Sequence, residues 1–185
     1  MRFSVAQAVV EVIRGDITKQ DTEAVVNAAN RRLAPGGGVA GAIHRAAGPE
    51  LWEECKQLGG CETGEAKITK GYRLPAKYVI HTVGPVYSGS PQDARLLASC
   101  YQNSLRICAD HHIRSVSFPA ISTGAFGYPL REAARVAARA VVDHLRQHPG
   151  SPELVRFVLF GEDAYQAFLT AFKQLGLSPA GNSGG

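Results

Sequence analysis

EAVVNAANRRLAPGGGVAGAIHRAAG, residues Glu23 to Gly48, decides how the rest of the chain is read. It opens on the β-branched pair Val25 and Val26 and passes two asparagines, Asn27 and Asn30. Three glycines follow, Gly36 to Gly38, and then an alanine-rich run with helical periodicity. A buried strand that ends in amide side chains, opens into a glycine loop and restarts as a helix is suited to holding an anion. Glycines let backbone N–H groups approach an oxyanion closely and accept φ > 0. The helix N-terminus adds unpaired N–H donors and a positive dipole end. A Gly-rich connection without a ligand is the weaker reading, because three adjacent glycines carry an entropy cost that a plain turn does not need.

Gly36, Gly38 and Gly41 formally match the dinucleotide fingerprint. That fingerprint needs a strand running straight into the first glycine and an acidic residue on the next strand about 20 residues on. Here the strand ends near Asn27, and the acids at the right distance, Glu53 and Glu54, fall in a helical pattern. A nicotinamide site is therefore rejected in favour of another kind of anion-binding loop.

The 185 residues are most simply one domain, residues 1–177, with a core of ordinary size. No run approaches the ~20 apolar residues of a membrane span, and the first residues lack a signal peptide's apolar core. A cytoplasmic monomer without membrane contact is expected. Cys55, Cys61, Cys100 and Cys108 form no CxxC pair and have no histidine at zinc-ligand spacing, so no metal site is expected; no cofactor is expected either. The net charge of +4 permits weak attraction to polyanions, but the basic residues are scattered along the sequence. Nucleic acid is thus only a weakly supported partner.

The other segments alternate strand and helix. VVEVIRG within residues 2–14 is the clearest early strand, and Gly15-Asp16-Ile17-Thr18 follows it. Asp16 reads either as a helix cap or as an acceptor at a strand end, placed for a donor such as the exocyclic amine of a base. Strands are expected at Ala24–Asn27, Gly64–Lys70, Tyr78–Val83, Ile113–Pro119 and Leu154–Phe160. Helices are expected from Val39, from Pro49, over Asp93–His111, from Pro129, and over Ala164–Leu175. Ser88–Gln92 reads as a loop, and Ser178–Gly185 as a disordered tail. His81 reads as a satisfied core histidine. His44, taken alone, is a packed or a site residue.

Ile121-Ser122-Thr123-Gly124-Ala125-Phe126-Gly127-Tyr128 leaves the fourth of these strands, and Pro129 starts a helix at its favoured first position. This is a second anion-binding constellation. It lacks the lysine of a Walker A motif. Two phosphate-type loops suggest a diphosphate clamped between them. The alternation predicts a three-layer α/β/α sandwich with ligands at the carboxyl ends of the strands. Asp16, Asn27, Ser122 and Phe160 all lie at such ends.

Five blocks in order, GDIT (15–18), VVNAAN (25–30), GGGVAGAIHRAAG (36–48), YVIHTVGP (78–85) and SFPAISTGAFGYP (117–129), resemble a macrodomain, most closely the MacroD type. The resemblance covers about residues 9 to 175. It implies a central mixed sheet and binding of ADP-ribose. It also implies release of mono-ADP-ribose from protein carboxylates or deacetylation of O-acetyl-ADP-ribose. Asp16 then matches the acceptor of the adenine amine, with Ile17 beside it. Asn27 and Asn30 match asparagines near the distal ribose, and Gly37, Gly38, Val39 and Ala40 fall in the first diphosphate loop. Ser122, Thr123, Gly124, Ala125 and Phe126 match the second loop, with Phe126 against the distal ribose. Phe160 takes the place of an aromatic packed on adenine, and His44 that of a histidine behind the first loop. Asn27, Asn30, His44 and Phe126 are the implied catalytic group.

The chain leaves the family pattern at one position. MacroD-type hydrolases commonly read GGGVDG, with an aspartate proposed to activate or orient water; this chain reads GGGVAG, with Ala40 there. The resemblance therefore implies either a hydrolase with reduced or substrate-assisted turnover, or a module that reads ADP-ribose without cleaving it.

Overall fold

The computed structural model describes residues 1–181. The chain opens as a hairpin, β1 (Arg2–Val5) and β2 (Ala8–Arg14), turned at Ala6 with φ 53°. A 3₁₀ turn at Ile17–Lys19 leads to β3 (Ala24–Ala28), then α1 (Gly38–Ala47) and α2 (Glu50–Cys55). β4 (Ala66–Lys70), β5 (Tyr78–Thr82), α3 (Pro91–Asp110) and β6 (Ser115–Phe118) follow. The chain then runs through α4 (Leu130–Gln147), β7 (Leu154–Leu159), α5 (Glu162–Lys173) and β8 (Ser178–Pro179).

All eight strands form one mixed sheet in the order β4-β5-β3-β6-β7-β2-β1-β8. The central five, β5 through β2, are parallel, and β4, β1 and β8 add antiparallel edges. Side chains alternate across a strand, so β3 sends Val25 to one core and Ala24 and Val26 to the other. The core under α3, α4 and α5 is the larger, built on Leu97, Tyr101, Phe118, Phe157, Phe168 and Phe172. The smaller core, under α1 and α2, holds Leu33, Ile43, Leu51, Cys55 and Val79. These are the two helical layers of an α/β/α sandwich.

Several boundaries differ from the sequence expectation. Pro91 and Gln92 belong to α3, because the Ser90 hydroxyl accepts from the Gln92 N–H at 3.2 Å and caps the helix two residues earlier. The strand expected from Gly64 starts at Ala66, since Gly64, at φ +89°, turns the chain into it. Ser178 and Pro179 are not tail: they pair with Ser4 and Phe3 at the sheet edge, so β7 is not the last strand. The end of the expected tail, residues 182–185, lies outside the described residues. All four cysteines are free and buried. Leu97, Tyr101, Leu105 and Cys108 do share one buried face of α3.

What this architecture does for a site is set at one edge of the sheet. α1, α4 and α5 follow β3, β6 and β7 and begin at the carboxyl ends of those parallel strands. Their first turns bring unpaired N–H groups to that edge.

Candidate functional site: a cleft between two glycine loops

A cavity of about 290 Å³ lies at this edge. One wall is the first loop and the start of α1: Asn30, Gly36, Gly37, Gly38, Val39 and Ala40. The other is the second loop, Ser122, Gly124, Ala125 and Phe126, and the floor is small, formed by Ala28, Ala29, Gly84, Ala120 and Ile121. The first loop is fastened by Asn30, whose Nδ2 donates to the Ala34 carbonyl at 2.9 Å while its Oδ1 accepts the Ala34 N–H at 3.0 Å. Leu33, at φ 59° and fully buried, pins the loop into the smaller core. Gly38 sits at φ +55°, and a Cβ there or on Gly37 would meet nothing within 4 Å. These glycines therefore serve backbone shape and access, not packing. Gly41 serves packing: a Cβ on it would stand 2.3 Å from the Gly36 carbonyl oxygen.

The second loop is fastened from beneath. The Ser122 hydroxyl donates to the Pro85 carbonyl at 2.8 Å, and the Tyr87 N–H donates to the Phe126 carbonyl at 2.8 Å. The Thr123 hydroxyl turns back to the Ala120 carbonyl at 2.9 Å. Gly124, Ala125 and Phe126 give their N–H groups to no protein acceptor among the described residues, and neither do Gly36 and Gly37. Two loops with free donors thus line one cavity, and that lining contains no ionisable side chain. The arrangement can bind an anion through backbone amides.

Beyond the cavity, Gly15 N–H donates to the Leu159 carbonyl at 3.0 Å, which sets Asp16 beside Phe160 at neighbouring strand ends. Phe160 is 94% exposed, an unusual position for a phenylalanine and a free face for stacking. Asp16 Oδ1 accepts both the Thr18 hydroxyl at 2.6 Å and the Thr18 N–H at 2.9 Å. These bonds, the hydroxyl first, hold the carboxyl below its usual range. The cap reading of Asp16 is therefore true of Oδ1, while Oδ2 has no protein partner among the described residues.

A family model described as "Macro domain" matches residues 26–137, more than half of the chain. The chain belongs to the macro domain family. A "Macro domain-containing protein" of Methanosarcina mazei is 51% identical over 167 residues, covering 90% of this chain and 89% of its own. "ADP-ribose glycohydrolase MACROD1" of Bos taurus is 54% identical over 155 residues, covering 83% of this chain but 48% of the relative. Among solved structures, an Oceanobacillus iheyensis macrodomain mutant "with ADPR" superposes with TM-score 0.91 at 42% identity over 95% of this chain and 97% of that one. The Trypanosoma brucei macrodomain "in complex with ADP-ribose" gives 0.83 at 43% identity, over 87% and 68%.

In this macro domain the expected site residues divide into three groups, apart from Thr123, which is not in the cavity lining and whose hydroxyl is turned to the Ala120 carbonyl. Asn30, Gly37, Gly38, Val39, Ala40, Ser122, Gly124, Ala125 and Phe126 line the one cavity, and Asp16, Ile17 and Phe160 stand at strand ends beyond it. Asn27 and His44 lie beneath it instead. Asn27 points to the α1–α2 side of the sheet, where its Nδ2 is 3.1 Å from His81 Nδ1. His44 is buried one turn below Ala40, and neither ring nitrogen has a protein partner among the described residues. Burial lowers its pKa. The sequence reading missed Gly84, whose Cβ would stand 2.1 Å from Ser122 Oγ. The Gly84-Pro85 pair straight after the YVIHTV strand was the available signal.

Among the described residues no helix is long and apolar enough to cross a membrane, and no cluster of metal-ligating side chains occurs.

Proposed function

We propose that this macro domain binds ADP-ribose in the cleft and removes mono-ADP-ribose from protein carboxylates, with O-acetyl-ADP-ribose as a second substrate. The observation that carries the reading is the pair of loops, with free N–H groups, that line opposite walls of a cavity without carboxylates. A diphosphate fits such a clamp, because fixed amide dipoles stabilise its charge. Asp16 and Phe160 would take the adenine, one by its free Oδ2 and the other by its exposed ring. The distal ribose then lies toward Asn30 and Phe126. The names of the relatives and the ADP-ribose held by the solved structures point the same way.

Without an ionisable side chain in the lining, the attacking water is oriented by the bound diphosphate and the Asn30 amide. Water adds to the anomeric carbon of the distal ribose, and the bond to the acceptor carboxylate breaks. The carboxylate leaves with the bonding pair, and the water's proton passes to a diphosphate oxygen. Asn27 and His44 act as positioning groups, through β3 and α1. The same absence of a general base favours a second reading, a module that holds ADP-ribose without cleaving it. Release of label from mono-ADP-ribosylated protein by catalytic amounts of the chain decides between them: multiple turnovers support the hydrolase. Binding without release, across carboxylate, serine and arginine linkages, replaces it with the reader.

A further inference from the structure

Among the described residues a second cavity is larger than the cleft. It is a groove of about 720 Å³ between the start of α4 and the length of α5. Arg131 and Arg135, one turn apart on α4, line it, and Arg139 continues the row a turn further on. All three are exposed, and none forms an ion pair among the described residues. Basic residues that look scattered along the sequence are thus gathered by the helical repeat, with a rise of about 6 Å per four residues. Two acids also border the groove. Glu132 lies 3.5 Å from the Tyr87 hydroxyl, and Asp163 belongs to the first turn of α5.

The position of the groove says what it could serve. Pro129, which lines it, leaves the second loop of the cleft directly, and Asp163 follows Phe160 closely in the chain. Along this edge the strands run β5-β3-β6-β7-β2. With a diphosphate over the ends of β3 and β6, and adenine at the ends of β7 and β2, the ribose bonded to adenine lies over the β6–β7 boundary. α4 and α5 start there, so a group carried on its 2′ or 3′ hydroxyl leaves toward the groove.

We propose that the α4–α5 groove binds a phosphate-bearing extension on the adenosine ribose of a cleft-bound ligand, with Arg131 and Arg135 as the phosphate contacts. The inference rests on the cleft reading above. Arginine's planar fork suits phosphate, and Asp163 on the opposite wall repels it, which places the phosphate against α4. The shared chemistry has two sources: a nucleotide phosphorylated on that ribose, or a chain in which a further ADP-ribose is attached to it.

Titrations of the full chain with ADP-ribose, 2′-phospho-ADP-ribose and a 2′-linked ADP-ribose dimer test this. At low salt at least one extended ligand binds about three- to tenfold tighter than ADP-ribose, and the advantage shrinks as salt is added. The double variant Arg131→Gln, Arg135→Gln loses the advantage and keeps its affinity for ADP-ribose. A gain confined to the monoester identifies phosphorylated nucleotides as the source, and a gain confined to the dimer identifies ADP-ribose chains. Equal affinities for all three ligands overturn the proposal, as does an advantage that survives in the double variant. Failure of ADP-ribose itself to bind is a separate result: it removes the cleft reading, and the groove's role falls with it.

Discussion

His81 and Asn27 stand side by side in register on β5 and β3, with Asn27 Nδ2 3.1 Å from His81 Nδ1. An amide N–H can only donate, so with the Asn27 amide in this orientation, its Oδ1 left without a protein partner among the described residues, Nδ1 is the acceptor and Nε2 carries the ring proton. Nε2 then donates to Thr69 Oγ1 at 2.9 Å, and the Thr69 hydroxyl passes its own hydrogen to the Lys70 carbonyl. His81 is thus a neutral histidine whose partners fix its tautomer. Burial first, and the charge of His44 second, push its pKa from 6.5 to about 3.

That depression has a definite sign. Below pH 6.5 the unfolded chain protonates this histidine and the folded chain does not, so the contribution is complete above 6.5 and is lost as pH falls toward 3. Between pH 6.5 and 5 one such group costs about 2 kcal/mol of stability. His81→Gln, which offers amide partners without titrating, should be less stable at pH 7.5 but show a flatter decline into acid. His44, buried, and His144, half-buried, are also depressed and leave part of that decline in place. Urea unfolding at a series of pH values measures it; parallel curves for both proteins would show that His81 does not set the slope.

Gly84→Ala should disturb the second loop. The added Cβ would stand 2.1 Å from Ser122 Oγ and 2.7 Å from Ile121 Cγ2, and moving Ser122 breaks its bond to the Pro85 carbonyl. Overpacking of this kind costs about 1–3 kcal/mol. ADP-ribose affinity should fall together with the melting temperature. Gly124→Ala is the control, since its Cβ meets nothing within 4 Å; its melting temperature should hold. An unchanged Gly84→Ala protein would mean that the loop accommodates the methyl without cost.

Asp16→Ala should weaken ADP-ribose binding by about 1.5–3 kcal/mol, roughly 10- to 150-fold, the value of a hydrogen bond to a charged group. It should also lower stability by about 1 kcal/mol, because the cap on Thr18 is lost. Calorimetric titration beside thermal unfolding separates the two. A stability loss with unchanged affinity would leave Asp16 as a cap alone.

Phe160→Ala should reduce affinity for ADP-ribose, by about 1–3 kcal/mol for a lost stacking face, and leave ribose-5-phosphate binding where it was. A ring that is 94% exposed packs on little of the protein, so the fold should persist. Equal losses for both ligands would exclude stacking on adenine.

The central strands and the long helices were legible because their apolar periodicity is strong. β1 and β8 were not. β1 is only four residues long, and β8 is a pair of residues held only by its partner strand. Both loops of the cleft were legible from their glycines and, for the second, from the proline that follows. The roles of the two asparagines were not. Asn27 still belongs to a strand and takes the face of Val25, toward α1, while Asn30 has left the strand and turns back on Ala34. Sequence spacing cannot say where a strand stops, and here that boundary decides which amide reaches the cavity.

Ala40→Asp is the change that bears most on chemistry. Ala40 lines the cavity in the first turn of α1, the third residue of the helix, with His44 one turn below it. A carboxylate in a first turn is favoured by the free N–H groups and the helix dipole, so the variant should fold. It would bring the only ionisable group into the lining. A positioned general base contributes about 10²–10⁴-fold to rate. A negative charge beside a diphosphate opposes binding, so affinity for ADP-ribose should stay flat or fall. Rate and affinity are thus expected to move in different directions, which separates activation of water from tighter binding. Single-turnover release of label from a carboxylate-linked substrate, with a titration of each protein, reads both quantities. An unchanged rate with binding retained would show that water activation does not depend on position 40 and would favour the substrate-assisted route. Release by the variant alone would identify the parent chain as a reader that lacks one carboxylate.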